Sequence, residues 1–341
     1  MKLKLIIPLV LSLTLLLGVY FVRPSQKAQA EKLTILNGNL YSTSQALEKK
    51  QFTNQADLKI LFDYNSHYAL VGKAWEGEVV ANSESTGGTN LFLINLLDKS
   101  EQKISNDLVR WADLDPKNTL IYFTDAQQNL WRHDINQSSQ EKIMDKVFSP
   151  DLSLDGRFMV YQKLNPDWIA PYTDQALGLT VLDLDTRQEV RITNRWEDWL
   201  PLWTPDGQKV LFFSTNDQGT SSHFVIDRDG QNKKQLSNFG LHYIKDNGLP
   251  MPSEKPIWSP DGTMLLYESD HAIWLNQFNA EKNQLTGKFL TYGQEATWSQ
   301  NGQVVNVILN NSQQTSVQSI NVDLTGKIIK IGQVVYLMVP L

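Results

Sequence analysis

The chain has no cysteine. That removes disulfides, thiol catalysis, thiolate metal sites and a lipid-modified cysteine anchor. It leaves the compartment undecided, since many exported proteins also lack cysteine. Histidine is scarce: His67, His133, His223, His242 and His271 are the five present. No two stand at zinc-motif spacing, and there is no His-Glu-x-x-His. There is no Gly-x-Ser-x-Gly elbow for a serine nucleophile, and no EF-hand loop or Gly-Asp repeat for calcium. A basic excess is also missing. Against 31 Lys and Arg stand 37 Asp and Glu, a net charge of −6. Nucleic acid selects a basic stripe, so it is excluded as a partner, and an anionic membrane surface is disfavoured as the main one. No catalytic residue, metal site or cofactor is expected from these absences.

What is present is aromatic and repetitive. The 341 residues hold 10 Trp, 11 Tyr and 13 Phe, a composition suited to strands packed face to face. One turn recurs. Its clearest copies are Trp203-Thr204-Pro205-Asp206-Gly207 and Trp258-Ser259-Pro260-Asp261-Gly262, each followed by an apolar run. Pro presets φ at the second turn position, Asp suits the third, and Gly accepts a positive φ at the fourth. Leu152–Gly156 and Trp298–Gly302 are further copies, and Leu114–Asn118 and Phe62–Ser66 are degraded ones. The closing positions 66, 118, 156, 207, 262 and 302 are spaced by 52, 38, 51, 55 and 40 residues. A blade of about 40 residues with loop insertions fits this period.

A second half-repeat follows each turn. Residues 90–95, 130–134, 179–183, 223–227, 273–276 and 317–321 read as strands that end on Asx or beside it and enter polar hairpins. Asx-Gly between strands, as at Asp229-Gly230, is a hairpin signal. The unit is four antiparallel strands, and six units predict a six-bladed β-propeller. An all-β sandwich with ordinary Pro-Asp-Gly turns is the alternative, but sandwiches do not repeat at this length.

The aromatic-Ser/Thr-Pro-Asp-Gly turn before a hydrophobic strand resembles the TolB-type (WD40-like, PD40) propeller repeat over about residues 60–333. The resemblance implies a cell-envelope protein that binds a protein or peptide. TolB-family proteins also carry an α/β domain before the propeller, which residues 31–59 are too short to hold. The envelope complex with TolA and Pal that such a domain implies therefore does not carry over on this resemblance. Related propellers attached to prolyl-oligopeptidase-type hydrolases imply an enzyme only with a hydrolase domain, and about ten residues follow the last repeat.

The N-terminus points outside the cytoplasm. Lys2 and Lys4 precede the apolar run Leu5–Val22, and Ala28-Gln29-Ala30 follows. These are the parts of a secretory signal cleaved after Ala30. An uncleaved anchor is the alternative, with membrane contact through residues 5–22. The division expected is residues 1–30 as signal or anchor, 31–59 as an N-terminal segment, and 60–341 as propeller. The strand at Lys32–Leu36 is expected to pair with the last blade near Val334–Val339, hiding the edges where a ring of sheets closes.

Three insertions stand out: Leu164–Gly178, Asn194–Pro201 and Phe239–Pro256. In a four-stranded blade the loop between second and third strands lies at the same end as the link to the next blade. Loops clustered at one end of a rigid scaffold are the usual place for binding residues. The candidate site is Trp168, Tyr172, Trp196, Glu197, Asp198, Trp199, His242, Tyr243 and Asp246. The aromatics would anchor a peptide or stack on a glycan, with the acids and histidine as polar partners. For Trp196 and Trp199, packing between blades is the competing role. Trp203, Trp258 and Trp298 lie inside the repeat and are read as packing residues, and Asp206 and Asp261 as turn holders. The alternative function is a propeller-based lyase or glycan hydrolase, which requires His242, Asp246, Asp198 and Glu197 to converge.

Overall fold

A computed structural model describes residues 32–36, 39–43, 49–51, 58–64, 67–74, 89–167, 176–215, 221–236, 256–269, 272–279, 284–299, 302–310 and 316–336. Among them every regular element is a strand. The apolar run Leu5–Val22 lies outside them, and no helix among the described residues is long and apolar enough to cross a membrane.

Strands β1 (Lys32–Leu36), β2 (Asn39–Thr43) and β3 (Lys49–Gln51) form a small meander. A seven-stranded sheet follows in sequence order: β4 (Leu58–Tyr64), β5 (Tyr68–Ala74), β6 (Thr89–Asn95), β7 (Glu101–Leu114), β8 (Leu120–Asp125), β9 (Leu130–Asp134) and β10 (Ser139–Met144). Four four-stranded antiparallel blades complete the chain. The first is β11 (Val147–Leu152), β12 (Phe158–Leu164), β13 (Ala176–Asp183) and β14 (Glu189–Arg191). The second is β15 (Trp199–Trp203), β16 (Lys209–Thr215), β17 (Ser221–Asp227) and β18 (Lys234–Gln235). The third is β19 (Ile257–Trp258), β20 (Met264–Ser269), β21 (Ala272–Asn279) and β22 (Gln284–Tyr292). The last is β23 (Gln294–Trp298), β24 (Val304–Asn310), β25 (Ser316–Asp323) and β26 (Ile328–Tyr336).

The fold is an all-β propeller, with one correction to the count. Six separate blades are expected from the sequence; the structure has five, four of them four-stranded and one seven-stranded. The difference lies in β7. Its first part pairs with β6 (Ile94↔Glu101, Leu91↔Ser105), and its second part pairs with β8 (Trp111↔Thr124, Leu114↔Ile121). One strand thus serves as the outer strand of one repeat and the inner strand of the next. At the N-terminus β1 pairs with β2 from Lys32↔Thr43 to Leu36↔Asn39; residues 337–339 of its expected partner run lie outside the described residues. A short hairpin closes with less loss of chain entropy than a pairing across the whole chain.

The core sits between the blades. Val160, Leu179 and Val181 of one blade pack with Trp203, Val210, Phe212 and Ile226 of the next. Leu266, Ile273 and Leu290 likewise meet Val305, Val307, Ile320 and Val322. A blade covered on both faces buries both sides of its middle strands. β16 is accordingly buried without a break from Val210 to Ser214, which explains its continuous apolar run.

The recurrent turn works as its residue types require. Gly207 N–H donates to the Thr204 carbonyl (2.8 Å), and Gly156, Gly262 and Gly302 repeat this on Ser153, Ser259 and Ser299. The first-position hydroxyl donates to the third-position carboxylate: Thr204 to Asp206 at 2.6 Å, Ser153 to Asp155 at 2.6 Å and Ser259 to Asp261 at 2.5 Å. The same hydroxyl accepts a backbone N–H from the following strand, as from Met264 to Ser259 (2.9 Å). In the degraded copy at 114–118 Asp115 stands in the hydroxyl's place and only accepts, its Oδ1 taking N–H from Thr119 and Leu120 at 2.7 Å.

Successive blades are bolted together next to these turns. The Trp203 indole N–H donates to the Asp151 carbonyl (3.0 Å), Trp258 to the Trp203 carbonyl (2.9 Å), and Trp298 to the Ile257 carbonyl (3.1 Å). Each tryptophan therefore satisfies its polar atom on the preceding blade while its ring fills the seam. The Asp151 carboxylate also accepts the Trp203 backbone N–H (2.8 Å), and Asp63 accepts that of Leu114 (3.0 Å). At Gly262 a Cβ would lie 2.7 Å from Pro205, so one turn nests on the next.

Candidate functional site

Strand order separates the two ends. The recurrent turns and the hairpins from third to fourth strand lie at one end. The loops from second to third strand and the links between blades lie at the other. The expected site belongs to that second, loop-rich end. Of its nine residues, Trp168, Tyr172, His242, Tyr243 and Asp246 lie outside the described residues. Trp196, Glu197, Asp198 and Trp199 are described, on the link from β14 to β15.

These four neighbours divide by direction because a turn separates them, closed by the Asp198 N–H on the Arg195 carbonyl (3.3 Å). The Trp196 side chain is exposed (38%), and Asp198 is completely buried. The Asp198 carboxylate lies 3.3 Å from Lys233 Nζ. That ammonium also sits 5.0 Å above the rings of both Phe212 and Phe224. Trp199 is half-buried against Phe213, with ring centroids 6.4 Å apart. A bulge follows it: Leu200 has a φ of +47° and the β15–β16 register shifts between Trp199 and Leu202. The extra residue turns Trp199 into the seam and leaves Trp196 facing out.

The link is clamped from both sides. The buried Gln162 amide on β12 donates to the Trp196 carbonyl (2.9 Å) and the Asp198 carbonyl (3.2 Å). Arg195 donates to the Thr215 carbonyl on β16 (3.0 Å) and lies 3.5 Å from a Glu197 oxygen. A backbone held at both blades presents the Trp196 indole in a fixed place, which lowers the entropy lost on binding.

Beneath this surface lies His223, buried between Phe213 (centroids 4.1 Å) and the edge of Tyr267 (5.4 Å). Burial with no charged partner pushes its imidazole down to about 3. Burial also pushes the Tyr267 phenol up to about 12. Both groups are neutral at pH 7 and belong to the packed interior. No three His, Asp or Glu side chains among the described residues are grouped to hold a metal ion.

The same end carries a groove that the sequence did not announce. It measures about 510 Å³, is lined by Gln127, Asn129, Lys146, Lys163, Pro166 and Glu189 among others, and runs between the seven-stranded sheet and the blade β11–β14. Asp125 builds one wall: its carboxylate accepts N–H groups from Gln127 and Asn129 (2.9 Å each), the Asn129 amide (2.7 Å) and the Trp131 indole (2.9 Å). The Lys163–Glu189 ion pair forms the other. The insertion that starts at Leu164 was the one available signal, since it borders the groove. The opposite wall comes from another sheet, and no local pattern joins the two.

With the geometry in place, the fold defines a class: a β-propeller with TolB-like repeats. No family model matches the chain. It is similar to the Tol-Pal system protein TolB of Francisella tularensis, with 25% identity over 199 residues covering 54% of this chain and 42% of the relative. The chain thus matches less than half the length of such curated relatives. Among solved structures it resembles TolB from Acinetobacter baumannii, with a TM-score of 0.51 and 16% identity over 89% of this chain and 80% of that one. It also resembles an oligogalacturonate lyase in complex with manganese, with a TM-score of 0.58 and 15% identity over 86% and 83% of the two chains. Identities this low show a shared propeller.

Proposed function

We propose that the protein is an exported, non-enzymatic propeller that binds a protein or peptide partner in the cell envelope through its loop-rich end. The observation that carries the reading is the outward Trp196, clamped on the link between two blades at that end. In the same molecule Trp203 and Trp258 are buried at the blade seams. An exposed, pre-positioned indole ringed by polar groups is the usual anchor of a binding surface. Sequence likeness to a protein named for the Tol-Pal system supports an envelope partner. The basic, apolar and Ala-x-Ala parts of residues 1–30 support export, as cleaved signal or as anchor. In mechanism, an extended segment lies across the loop-rich end with Trp196 as its anchor. Trp168, Tyr172, Tyr243, His242 and Asp246 are the further contacts proposed on the neighbouring insertions.

The test is capture by cross-linking in the native envelope, comparing the full chain with its Trp196→Ala variant. A partner held by the wild type and reduced at least tenfold by the variant, at equal folded yield, supports the reading. Equal capture by both removes Trp196 from the site.

The second reading is a carbohydrate-active enzyme at this end, favoured by the likeness to the lyase propeller. It needs convergent acid and base groups. Glu197 and Asp198 do not supply them, since Asp198 faces the buried seam. Release of unsaturated product from oligogalacturonate would establish this reading and displace the first.

A further inference from the structure

The face that the blade β19–β22 turns to the blade β15–β18 is covered unevenly. Leu265 and Phe278 pack with Leu202, Leu211, Val225 and Leu236, and Tyr267 packs with Phe213. Further out the cover thins. Among the described residues β18 is only Lys234–Gln235 and pairs with Phe224 and Val225 alone, whereas β22 runs for 9 residues. The register sets Trp274 opposite Tyr267, Phe289 opposite Trp274 and Tyr292 opposite Ala272, so these rings share that face. Phe289 is 44% exposed and Tyr292 72%.

The rings form a ladder from the seam to the surface. Tyr267 stacks on Trp274 at 6.4 Å, with planes 9° apart. Trp274 then meets Phe289 edge to face at 5.9 Å (83°), and Phe289 meets Tyr292 at 5.0 Å (63°). Coplanar rings would offer a flat platform; rings set across one another leave slots between them. Tyr292 ends β22 at the link to β23, so the slots open at the loop-rich end.

Two further properties narrow what fits. The described residues of β20–β22 put no charged side chain on this face. Glu268 and Lys288 stand opposite Ile273 and Leu275, which pack against the last blade. The polar atoms on offer are also donors. The indole N–H groups of Trp131, Trp203, Trp258 and Trp298 are all donated within the protein. Half-buried Trp274 makes only ring contacts among the described residues, which leaves its indole N–H for a ligand. The hydroxyl of the exposed Tyr292 is a second donor.

We propose that these slots take a proline-rich segment of a partner protein in the polyproline II conformation. Such a segment is uncharged, has ring edges that enter slots between aromatic side chains, and presents carbonyls without matching N–H groups. The Trp274 indole and the Tyr292 hydroxyl donate to two of those carbonyls. Its extended shape exists before binding, so little chain entropy is lost on docking. A glycan would bring hydroxyl donors to a face whose acids point the other way. The proposal names a partner class for the loop-rich end and rests on the reading of that end as a peptide-binding surface, but Trp196 takes no part in the slots.

The test titrates fluorescein-labelled decaproline with the full chain and reads anisotropy, with labelled Gly-Ser decapeptide and labelled chitohexaose as comparators. Decaproline should bind and the Gly-Ser peptide should not. Tyr292→Ala and Phe289→Ala, at exposed positions, should each weaken binding about fivefold or more. Trp274→Phe keeps a ring and removes the N–H, and should weaken it about threefold. Trp196→Ala should leave it unchanged. Binding lost in Trp196→Ala and kept in Tyr292→Ala overturns the slots while leaving the loop-rich end as a peptide surface. No binding of decaproline overturns the proposal whatever Trp196 captures in the envelope. Chitohexaose bound in place of decaproline overturns it in favour of a glycan surface.

Discussion

The two ends of the propeller use the same residue types for opposite purposes. At the turn end, tryptophan, aspartate and proline are consumed by the fold. Trp203, Trp258 and Trp298 each donate an indole N–H to the preceding blade, and Asp206, Asp155 and Asp261 each accept the hydroxyl of their own turn. At the loop-rich end Trp196 is held by its backbone carbonyl on Gln162, its neighbour Arg195 reaches Thr215, and the Trp196 ring is left facing out. A residue whose polar atoms are satisfied inside the repeat is structural. One whose backbone alone is held is available to a partner.

The contrast is sharpest at the tryptophans. Trp203→Ala removes a ring from the seam and the Asp151 hydrogen bond, and should cost about 3–5 kcal/mol in urea unfolding. Trp196→Ala should change stability by less than about 0.5 kcal/mol. Equal losses for the two would break the division between the ends.

A comparable effect is expected from pH. The His223 imidazole has a folded pKa of about 3 against an ordinary 6.5. As pH falls below 6.5 the unfolded chain takes up the proton first. Stability from the neutral imidazole is therefore complete above 6.5 and is lost as pH falls towards 3, by roughly 3–5 kcal/mol in total. Asp155, Asp183, Asp227, Asp261 and Asp323 are held below their ordinary 3.8 mainly by hydrogen bonds, against the opposing effect of burial, and so act below about pH 4. Among the described residues, the slope between pH 4 and 6.5 belongs to His223, with His133 on the seven-stranded sheet adding to it because burial lowers its pKa too. His223→Phe should flatten the stability profile in that window whatever it does to the absolute value. An unchanged slope would contradict the buried neutral assignment.

Smaller effects separate neighbouring positions at the turn end. Asp151→Ala leaves the buried Trp203 backbone N–H without its carboxylate and should cost about 1–3 kcal/mol. Gly262 and Gly207 both have positive φ, +72° and +66°. Only at Gly262 does the added Cβ meet a neighbour, Pro205 at 2.7 Å. Gly207→Ala should cost about 1–2 kcal/mol for its backbone alone, and Gly262→Ala measurably more. The reverse order would show that the turns do not stack.

Much of the turn end was legible because its chemistry is local. Asn118, Gly156, Gly207, Gly262 and Gly302, which close five of the turns read from sequence, all have φ between +58° and +72°. The strands read at 90–95, 130–134 and 179–183 fall within β6, β9 and β13. The fusion through β7 was not legible, because Asn106-Asp107 is the kind of pair that ends a strand. Here the Ser105 hydroxyl accepts the Asp107 N–H at 3.1 Å, and the strand kinks and continues. The placement of Trp196 depends on Gln162, and the groove at the same end on Lys146 and Asn129, which lie on other strands and links. Sequence spacing carries no trace of such contacts.

The most direct measurement compares the two ends in one experiment. A photo-activatable phenylalanine analogue is placed at Trp196 in the loop-rich end or at Leu154 in the turn end, two exposed positions of similar accessibility (38% and 40%). Irradiation in the native envelope should give a discrete protein adduct from position 196 and none from position 154. An adduct from 154 with none from 196 would contradict the assignment of binding to the loop-rich end.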